Sequence, residues 1–227
     1  MLQEHLERHM KETPFYIVTL NYFSVIFFSS GLYISYIASE STLAFLSVLI
    51  SWIYLIPPLL ARVTILMLGK PSGTVSNDST THFTWWLLFQ YQLLFNRFAM
   101  LEEVLRSIPG VYAIWLNLWG AKVSMYSFWS PGVTVLDRYN IHIQKGVILG
   151  TECLLSGHFL TLDDNDEYSM IIGEIHIKAN ALIGTRAMVA PGCMIHENEI
   201  LPATRMLMPF TELKNGKKIR NPEVSGT

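Results

Sequence analysis

Aliphatic residues recur every six positions through the second half of this chain, and that period restricts the fold more than any other feature of the sequence. One column contains Ile143, Leu149 and Leu155, and resumes with Ile177, Ile183, Val189, Ile195 and Leu201. A second column, two residues ahead, contains Trp129, Val135, Ile141, Val147 and Cys153, and resumes with Ile175, Ala181, Ala187 and Cys193. Residues two apart in a strand share a face, so each hexad offers two inward side chains and then a turn. A helix repeats at 3.6, so the pattern indicates a parallel β-helix whose stacked coils share one core.

The segment CLLSGHFLTLDDNDEYSMIIGEIHIKANALIGTRAMVAPGCMIHENEILPA closely resembles the galactoside- and maltose-type acetyltransferases of the hexapeptide-repeat family. Those proteins also have a Gly-His or Thr-His at the end of a coil, then a polar excursion, then further repeats. The resemblance implies a left-handed β-helix with three hexads per coil, a homotrimer with active sites between subunits, and acyl transfer from a thioester. The left hand is an expectation from the family, because ordinary parallel crossovers are right-handed.

Two apolar runs precede the repeats, over residues 15–37 and 42–68. About 20 apolar residues span a bilayer core, so the runs predict a transmembrane helical hairpin. The alternative is a helical hairpin buried in a soluble protein. Pro57 and Pro58 lie inside the second run and are expected to kink or break the helix, which frees backbone groups that need other partners.

Basic residues near these runs predict their orientation. They lie at Arg8, Lys11, Arg62 and Lys70, whereas the linker between the runs has none. Positive charge collects on the cytoplasmic side of a membrane. The sequence therefore predicts a multi-pass protein of the cytoplasmic membrane, with its catalytic domain facing the cytoplasm.

A third apolar stretch, within residues 83–106, is too short and too polar to span a bilayer comfortably. It predicts an interfacial helix with Trp85, Trp86 and Tyr91 at headgroup depth, and a re-entrant or buried segment is the alternative. With the later motifs LWGAKV and VTVLDRYNIHIQKGVILGTECLLSGH, this layout resembles a membrane-bound branch of the hexapeptide family. Its best-known members are terminal domains of poly-lysine-synthase-type proteins. These 227 residues include no adenylation or carrier domain, so only the acyl-transfer part of that likeness applies.

These features predict an α+β membrane protein in three parts. Residues 1–119 form a membrane-anchoring helical domain. Residues 120–208 form a left-handed parallel β-helix with an excursion loop at 159–174, and residues 209–227 form a basic tail. The net charge of -2 argues against a general nucleic-acid binder.

His158 is the predicted general base. Acyl transfer to a hydroxyl or an amine requires removal of the acceptor's proton, and an imidazole with an ordinary pKa near 6.5 suits that task at neutral pH. Because Ser156, Gly157 and His158 match the family motif, the resemblance places the catalytic histidine here. Three other histidines fall at outward or turn positions and are expected to be solvated. They are His142, His176 and His196.

Two further residues are candidates for the site. Asn140 precedes His158 by three hexads, the length of one coil, so it is predicted to stack beneath His158 and hold the ring or the acceptor. A turn asparagine is the alternative. Asp137 stands where the inward column requires an aliphatic residue. An unpaired buried carboxylate is costly, so Asp137 must be paired, functional or displaced by a local bulge. The resembling membrane branch also has an aspartate here.

The resemblance assigns donor contacts to Gly184, Thr185 and Ala203, which match positions that contact the pantetheine arm. Small residues let the thioester approach, and backbone N–H groups can polarise its carbonyl. Lys217 and Lys218 belong to the basic tail, which could meet the donor's phosphates or anionic lipid, or could simply be solvated.

No permanently bound cofactor and no metal site are predicted. The chain has no Cys-x-x-Cys or comparable ligand spacing, and it lacks the paired histidines of a γ-carbonic-anhydrase-like zinc site, which would use the same fold. Acyl-CoA, or an acyl-carrier thioester, is expected as co-substrate. The acidic residues of the excursion could attract an amine acceptor or a cation, or could be solvated. They are Asp163, Asp164, Asp166 and Glu167.

The predicted function is a membrane-bound acyltransferase acting on an amphiphilic or lipid-linked acceptor, because free sugars would need no membrane platform. The expected partners are membrane lipid, acyl-CoA, that acceptor and further copies of the chain in a homotrimer. Two other classes stay open. One is a non-catalytic, membrane-anchored trimeric scaffold, and the other is an amide-forming transferase that uses aminoacyl thioesters.

Overall fold

The computed structural model of the chain describes residues 15–76, 79–162 and 168–220. Its helices are α1 (Phe15–Leu20), α2 (Phe23–Ile37), α3 (Thr42–Leu68), α4 (Thr80–Arg97), α5 (Met100–Arg106) and α6 (Val111–Trp119). Its strands are β1 (Gly73–Ser76), β2 (Lys122–Val123), β3 (Phe128–Trp129), β4 (Thr134–Leu136), β5 (Ile141–Ile143), β6 (Ile148–Leu149), β7 (Leu154–Ser156), β8 (His158–Leu162), β9 (Tyr168–Ile172), β10 (Ile175–Ile177), β11 (Leu182–Ile183), β12 (Met188–Val189), β13 (Met194–Ile195), β14 (Ile200–Leu201), β15 (Met206–Leu207), β16 (Thr211–Lys214) and β17 (Lys217–Arg220). A 3₁₀ turn occupies Arg138–Asn140.

The two long apolar helical segments predicted near the N-terminus are present. Residues 15–37 and 42–68 are each long and apolar enough to cross a membrane, and only 11% of each apolar window is buried inside the chain. Large side chains on both segments face outward, among them Phe15, Leu43 and Leu66. The core of the described chain therefore covers only a small part of these helices.

Helix α3 runs unbroken through Pro57 and Pro58, so the expected break is absent. Pro58 has no N–H with which to bond the carbonyl of Tyr54 one turn earlier. That carbonyl accepts a hydrogen bond from Trp115 Nε1 at 2.8 Å instead. The expectation that the freed backbone would find another partner is confirmed for Pro58, and the partner is a side chain of α6.

Parallel strands stack into three sheets, as a β-helix requires. Sheet 1 has the order β16-β13-β10-β5-β2, sheet 2 has β14-β11-β6-β3, and sheet 3 has β15-β12-β7-β4. Aliphatic side chains from all three sheets meet inside, where Leu149, Ile183 and Val189 are fully buried. The sixfold repeat thus produces the stacked coils and single core that it predicts.

The length of the coils changes along the chain. In the later coils Leu182 pairs with Ile200, so one coil is three hexads long. In the first coil Trp129 pairs with Leu149, and Val135 pairs with Leu155, so that coil is longer than three hexads by two residues. Placing Trp129 and Val135 in the second column is therefore wrong. Because of the two extra residues, Trp129 and Val135 align with Leu149 and Leu155, which belong to the first column.

Both interruptions of the repeat lie at the bends that lead from sheet 3 back to sheet 1, here called the return corner. The first is the 3₁₀ turn after β4, and the second is the excursion between β7 and β10. Strands β8 and β9 make the excursion an antiparallel hairpin, to which β1 adds a third strand. The predicted loop at 159–174 is thus largely a sheet, and its acidic residues 163–167 lie outside the described residues.

The repeat also extends further than predicted toward the C-terminus. Strand β16 pairs in parallel with β13, and β17 folds back on β16 as an antiparallel partner. Residues 211–220 therefore close sheet 1, whereas the sequence indicated a basic tail from residue 209. The apolar side chain of Leu213 is the reason, because it continues the inward column and is only 3% exposed.

Helix α4 lies between the apolar helices and the β-helix. On one side Tyr91 packs against Phe23, with ring centroids 5.1 Å apart, and its hydroxyl lies 3.3 Å from Thr64 Oγ1. On the other side Trp85 reaches the return corner. Trp85 and Tyr91 are buried inside the protein, as the buried alternative for this segment expects, and the depth of the helix relative to a membrane stays a prediction.

Candidate active site

A histidine and an aspartate meet at the return corner. Asp137 follows strand β4 in a left-handed conformation, with φ of 57°, just before the 3₁₀ turn. His158 opens the excursion one coil later. Its Nδ1 lies 2.5 Å from Asp137 Oδ2. The aspartate side chain is fully buried, whereas 20% of the histidine side chain is exposed. The two extra residues of the first coil thus displace Asp137 from the inward column, and its carboxylate is the partner of His158.

The electrostatics of this pair favour a basic imidazole. Burial alone would lower the pKa of His158, but the charge of Asp137 and its hydrogen bond outweigh burial and raise that pKa above its ordinary value. A hydrogen bond at Nδ1 leaves Nε2 as the free ring nitrogen. The pair therefore has the arrangement of a general base oriented by a carboxylate.

Helix α4 completes the site, which the sequence did not reveal. The indole Nε1 of Trp85 donates a hydrogen bond to Asp137 Oδ1 at 2.9 Å. The Trp85 ring also meets the edge of the His158 ring, with centroids 5.0 Å apart, and Phe89 lies at 6.1 Å on the same helix. Both oxygens of the carboxylate are thus occupied, and aromatic rings cover one side of the imidazole.

A buried cation fixes the corner next to Asp137. The Arg138 side chain is almost fully buried, and its Nε donates to Glu102 Oε1 on α5 at 2.6 Å. Gln92 Oε1 accepts from the Arg138 backbone N–H at 2.7 Å. Aromatic rings of Phe95, Trp115 and Trp119 surround the guanidinium. The one available sequence signal was Asp137-Arg138, a charged pair inside an apolar repeat.

Asn140 also lies at this corner, although the spacing that suggested it was wrong. The first coil exceeds three hexads by two residues, so Asn140 does not stack directly beneath His158. It is 1% exposed, and neither side-chain polar atom has a hydrogen-bond partner among the described residues. A Cβ added at Gly157 would lie 2.8 Å from Asp137 Cβ and 3.1 Å from Asn140 Cβ. Glycine before His158 therefore lets the two coils approach.

The predicted donor residues lie at another corner, between sheets 2 and 3. A Cβ on Gly184 would lie 2.3 Å from the backbone nitrogen of Ala203, so only glycine fits there. Thr185 and Ala203 are exposed. They stack on successive coils, since Thr204 N–H donates to the Thr185 carbonyl at 2.8 Å. One copy of the chain does not bring these residues to His158.

The two predicted donor lysines lie on β17, at the end of the β-helix. Both are exposed. The Lys218 Nζ donates to the Met206 carbonyl at 2.8 Å, which holds that side chain against β15. Lys217 is the cross-strand neighbour of Lys214. Over residues 211–220 the predicted tail is thus a small basic edge, and its residues 221–227 lie outside the described residues.

A second cluster of titratable side chains flanks the return corner. The rings of His142 and His176 stack with centroids 4.4 Å apart, and Glu174 Oε2 lies 3.1 and 3.2 Å from their Nε2 atoms. The Lys70 ammonium donates a hydrogen bond to the second carboxylate oxygen, Glu174 Oε1. Burial lowers the pKa of both imidazoles. At Glu174 the hydrogen bond and charge of Lys70, with the charge of His142, outweigh burial and lower the pKa of the carboxyl to about 2. His196 binds Glu212. The expectation that these three histidines are simply solvated is wrong.

Solved structures similar to this chain are hexapeptide-repeat acetyltransferases. One, from Vibrio cholerae O1 biovar eltor and complexed with acetyl-CoA, has 19% identity and a TM-score of 0.33 over 44% of this chain and 60% of that chain. A maltose O-acetyltransferase from Clostridium difficile 630 has 15% identity and a TM-score of 0.31 over 56% and 87%. A galactoside acetyltransferase in complex with CoA has 16% identity and a TM-score of 0.31 over 57% and 82%. No protein-family model and no curated protein matches the sequence. Likeness at this level leaves the chemistry to be argued from the residues of this chain.

Proposed function

We propose that this chain is an acyltransferase that moves an acyl group, acetyl in the simplest case, from a CoA-type thioester to a hydroxyl or an amine. The observation that carries the proposal is the His158–Asp137 pair, with Nδ1 and Oδ2 2.5 Å apart at the corner where the family motif places its catalytic histidine. A buried carboxylate on Nδ1 and a partly exposed ring are what a general base requires.

In the proposed reaction, His158 Nε2 takes the proton of the acceptor hydroxyl or amine as that atom attacks the thioester carbonyl carbon. The new C–O or C–N bond forms, and the resulting imidazolium is stabilised by Asp137. When the tetrahedral intermediate collapses, the C–S bond breaks and the thiol leaves with the proton from His158. Asn140, buried beside the pair with an amide that has no partner among the described residues, is proposed to help position this corner.

The donor site is proposed to be completed by a second copy of the chain. Gly184, Thr185 and Ala203 lie at a different corner of the coil from His158, so one copy holds the base and the predicted donor contacts apart. A trimer of left-handed β-helices, as the family resemblance implies, would bring the corner of one subunit to that of its neighbour. Lys217 and Lys218, on the exposed β17 edge, are proposed to contact the donor's phosphates.

The acceptor is proposed to be amphiphilic or lipid-linked, and the protein to be anchored in the cytoplasmic membrane with its β-helix in the cytoplasm. Two observations support this. The helices over residues 15–37 and 42–68 expose apolar side chains along their length, an area that soluble monomers rarely leave uncovered. Helix α4 contacts those helices through Tyr91 and the catalytic pair through Trp85, so the site adjoins the anchoring domain.

The decisive experiment compares two histidine variants of the full chain in detergent. With acetyl-CoA and an accepting substrate, His158→Ala is expected to lower the rate of CoA release by about 10²–10⁴-fold. His196→Ala removes a histidine from a pair with Glu212 elsewhere on the β-helix and should keep the wild-type rate. A folded His158→Ala protein with full activity would refute the proposed base, and one that kept its biological activity would favour the scaffold.

A second experiment tests the acceptor class. The same amine or sugar head group is offered free in solution and on an alkyl chain inserted in detergent micelles. The alkyl form is expected to react with the lower KM. Acylation confined to freely soluble acceptors would refute the lipid-linked acceptor while leaving acyl transfer itself intact. Mass spectrometry of products from mixed acetyl and aminoacyl thioesters distinguishes acetylation from aminoacyl transfer.

A further inference from the structure

We propose that His142, Glu174 and His176 form a binding site for a divalent transition-metal ion of the zinc class. The site is separate from the proposed acyl-transfer residues, and its test requires no acyl transfer. The sequence did not predict it, because the three residues come together only after the excursion brings β10 beside β5.

The ligand geometry supports the proposal. Ligand atoms of a tetrahedral zinc ion lie about 3.3 Å apart when each is about 2.0–2.1 Å from the metal. Glu174 Oε2 lies 3.1 Å from His142 Nε2 and 3.2 Å from His176 Nε2. The three ligand atoms all lie within 4.8 Å of one another. Two imidazole nitrogens and one carboxylate oxygen are also a common zinc ligand set that leaves a fourth position for water.

The strands fix the backbone positions of these three residues in the metal-free chain. His142 and His176 are direct register partners on adjacent parallel strands of sheet 1. Glu174 precedes His176 by two residues, which places both on the same outward face. Rigid strands fix ligand positions more closely than loops do. The sixfold repeat therefore places the two imidazoles side by side as stacked rings, which must tilt toward each other to bind one ion.

An unsatisfied nitrogen and an anchored carboxylate point to a missing ligand. The Nε2 of His142 is buried and has no hydrogen-bond partner among the described residues, although Glu174 Oε2 is 3.1 Å away. The two atoms are therefore close without the alignment of a hydrogen bond. Lys70, just after α3, donates to Glu174 Oε1 at 2.5 Å and orients the carboxylate from behind. Such partners commonly fix a ligand's orientation in metal sites.

An ion here would stabilise the return corner from its second side. Glu174 follows Gly173, whose N–H donates to the Gly157 carbonyl at 2.9 Å, and Gly157 precedes His158. The metal would thus join two coils and the end of the excursion, while Lys70 ties the same carboxylate to the end of the apolar helices. We infer that binding raises the melting temperature of the chain.

The test titrates zinc chloride into the metal-free full chain in detergent, with calorimetry for stoichiometry and thermal unfolding for stability. One equivalent per chain and a higher Tm are expected. His176→Ala and Glu174→Gln should each weaken binding by at least about tenfold. Cobalt in place of zinc should give the visible absorption of a tetrahedral ion, and His176→Ala should remove it.

The matched control is His196→Ala. His196 Nε2 and Glu212 Oε2 are also 3.1 Å apart on the same β-helix, but a histidine–glutamate pair alone is not a three-ligand site. This variant should bind zinc like the wild type. Absence of saturable binding would overturn the proposal. So would a site that persists in both His142→Ala and His176→Ala, or one that disappears only in His158→Ala, which would place the metal at the aspartate–histidine pair instead.

Discussion

The two halves of the β-helix follow different rules. From Ile175 onward the coils keep a length of three hexads, and their inward positions hold fully buried aliphatic side chains. Before that point the coils contain two interruptions, the 3₁₀ turn at Arg138–Asn140 and the excursion, and both lie at the return corner. The regular half contributes mainly a hydrophobic core, whereas the interrupted half also contains the candidate active site.

The difference shows where polar chemistry can be placed in a repeat of this kind. The return corner buries Asp137, Arg138, Asn140 and Ser156, and buried polar groups need partners. The coils supply partners for Ser156 and for one oxygen of Asp137, and the helices supply others. Trp85 and Gln92 on α4, with Glu102 on α5, bond to Asp137 and Arg138. The helical domain is therefore part of the site as well as a candidate anchor.

The largest effect is expected from Asp137→Asn, which removes the buried negative charge that distinguishes the return corner from the regular coils. The rate of acyl transfer should fall by about 10²–10⁴-fold, as for loss of acid–base catalysis. The burial that opposes charge on His158 would then be uncompensated, so the pKa of His158 should fall. A neutral base is needed for activity, so the acidic limb of the kcat/KM profile should move to lower pH.

A full pH profile of the wild type and of Asp137→Asn checks this prediction. Circular dichroism in the far ultraviolet shows whether the coils remain folded. An acidic limb that stays at the same pH in a folded variant would mean that Asp137 does not control the His158 pKa. The role of the pair would then be structural only.

Glu102→Gln tests whether the helical domain holds the corner in place. Glu102 pairs with both Arg106 and Arg138, and all three side chains are 5% exposed or less. Removing one partner of a buried ion pair leaves an uncompensated charge and costs about 3–5 kcal/mol. The melting temperature of the full chain should fall accordingly.

The matched control for that variant is Glu152→Gln in the β-helix. Glu152 and Arg186 have the same 2.6 Å separation, but their side chains are 52% and 67% exposed. Exposed pairs contribute little, since solvent screens them. Equal changes in melting temperature for the two variants would show that the buried network does not stabilise the corner.

Much of the regular half could be predicted from its sequence. Inward columns of Ile, Val and Leu at a period of six specify stacked strands, because each position depends only on its neighbours one coil away. The apolar helices were also predictable, since about 20 consecutive apolar residues give a strong local signal. The prediction for His158 rests on the motif that contains it, not on its own properties, and the structure places this residue beside Asp137.

The partners of the corner could not be predicted, because they are far apart in sequence. Trp85 lies 52 residues before Asp137, and Glu102 lies 36 before Arg138. No local pattern joins them. The two residues inserted before β5 also lengthen the first coil beyond three hexads, which misplaced Asn140 beneath His158 and put Trp129 in the wrong column. A periodic pattern predicts which residues stack one coil apart only where no residue is inserted into the repeat.

The smallest effect is expected from Trp85→Phe. This variant tests whether α4 only packs over His158 or also acts on the pair through its hydrogen bond to Asp137. Phenylalanine keeps an aromatic ring near His158 but removes the Nε1–H that donates to Asp137 Oδ1 at 2.9 Å. The carboxylate loses a donor that disperses its charge, so its attraction for the imidazolium should strengthen and the pKa of His158 should rise. We expect a loss of activity of about tenfold or less, in line with one buried hydrogen bond of about 1 kcal/mol.

The acidic limb of kcat/KM should therefore move to higher pH in Trp85→Phe, the opposite direction from Asp137→Asn. Trp86→Phe is the matched control, because Trp86 is the next residue of α4 and its Nε1 has no hydrogen-bond partner among the described residues. That variant should leave the limb where it is in the wild type. If both tryptophan variants shifted the limb equally, the effect would come from loosened packing of α4. If only Trp85→Phe shifts it, a residue of the helical domain sets the basicity of a histidine in the β-helix.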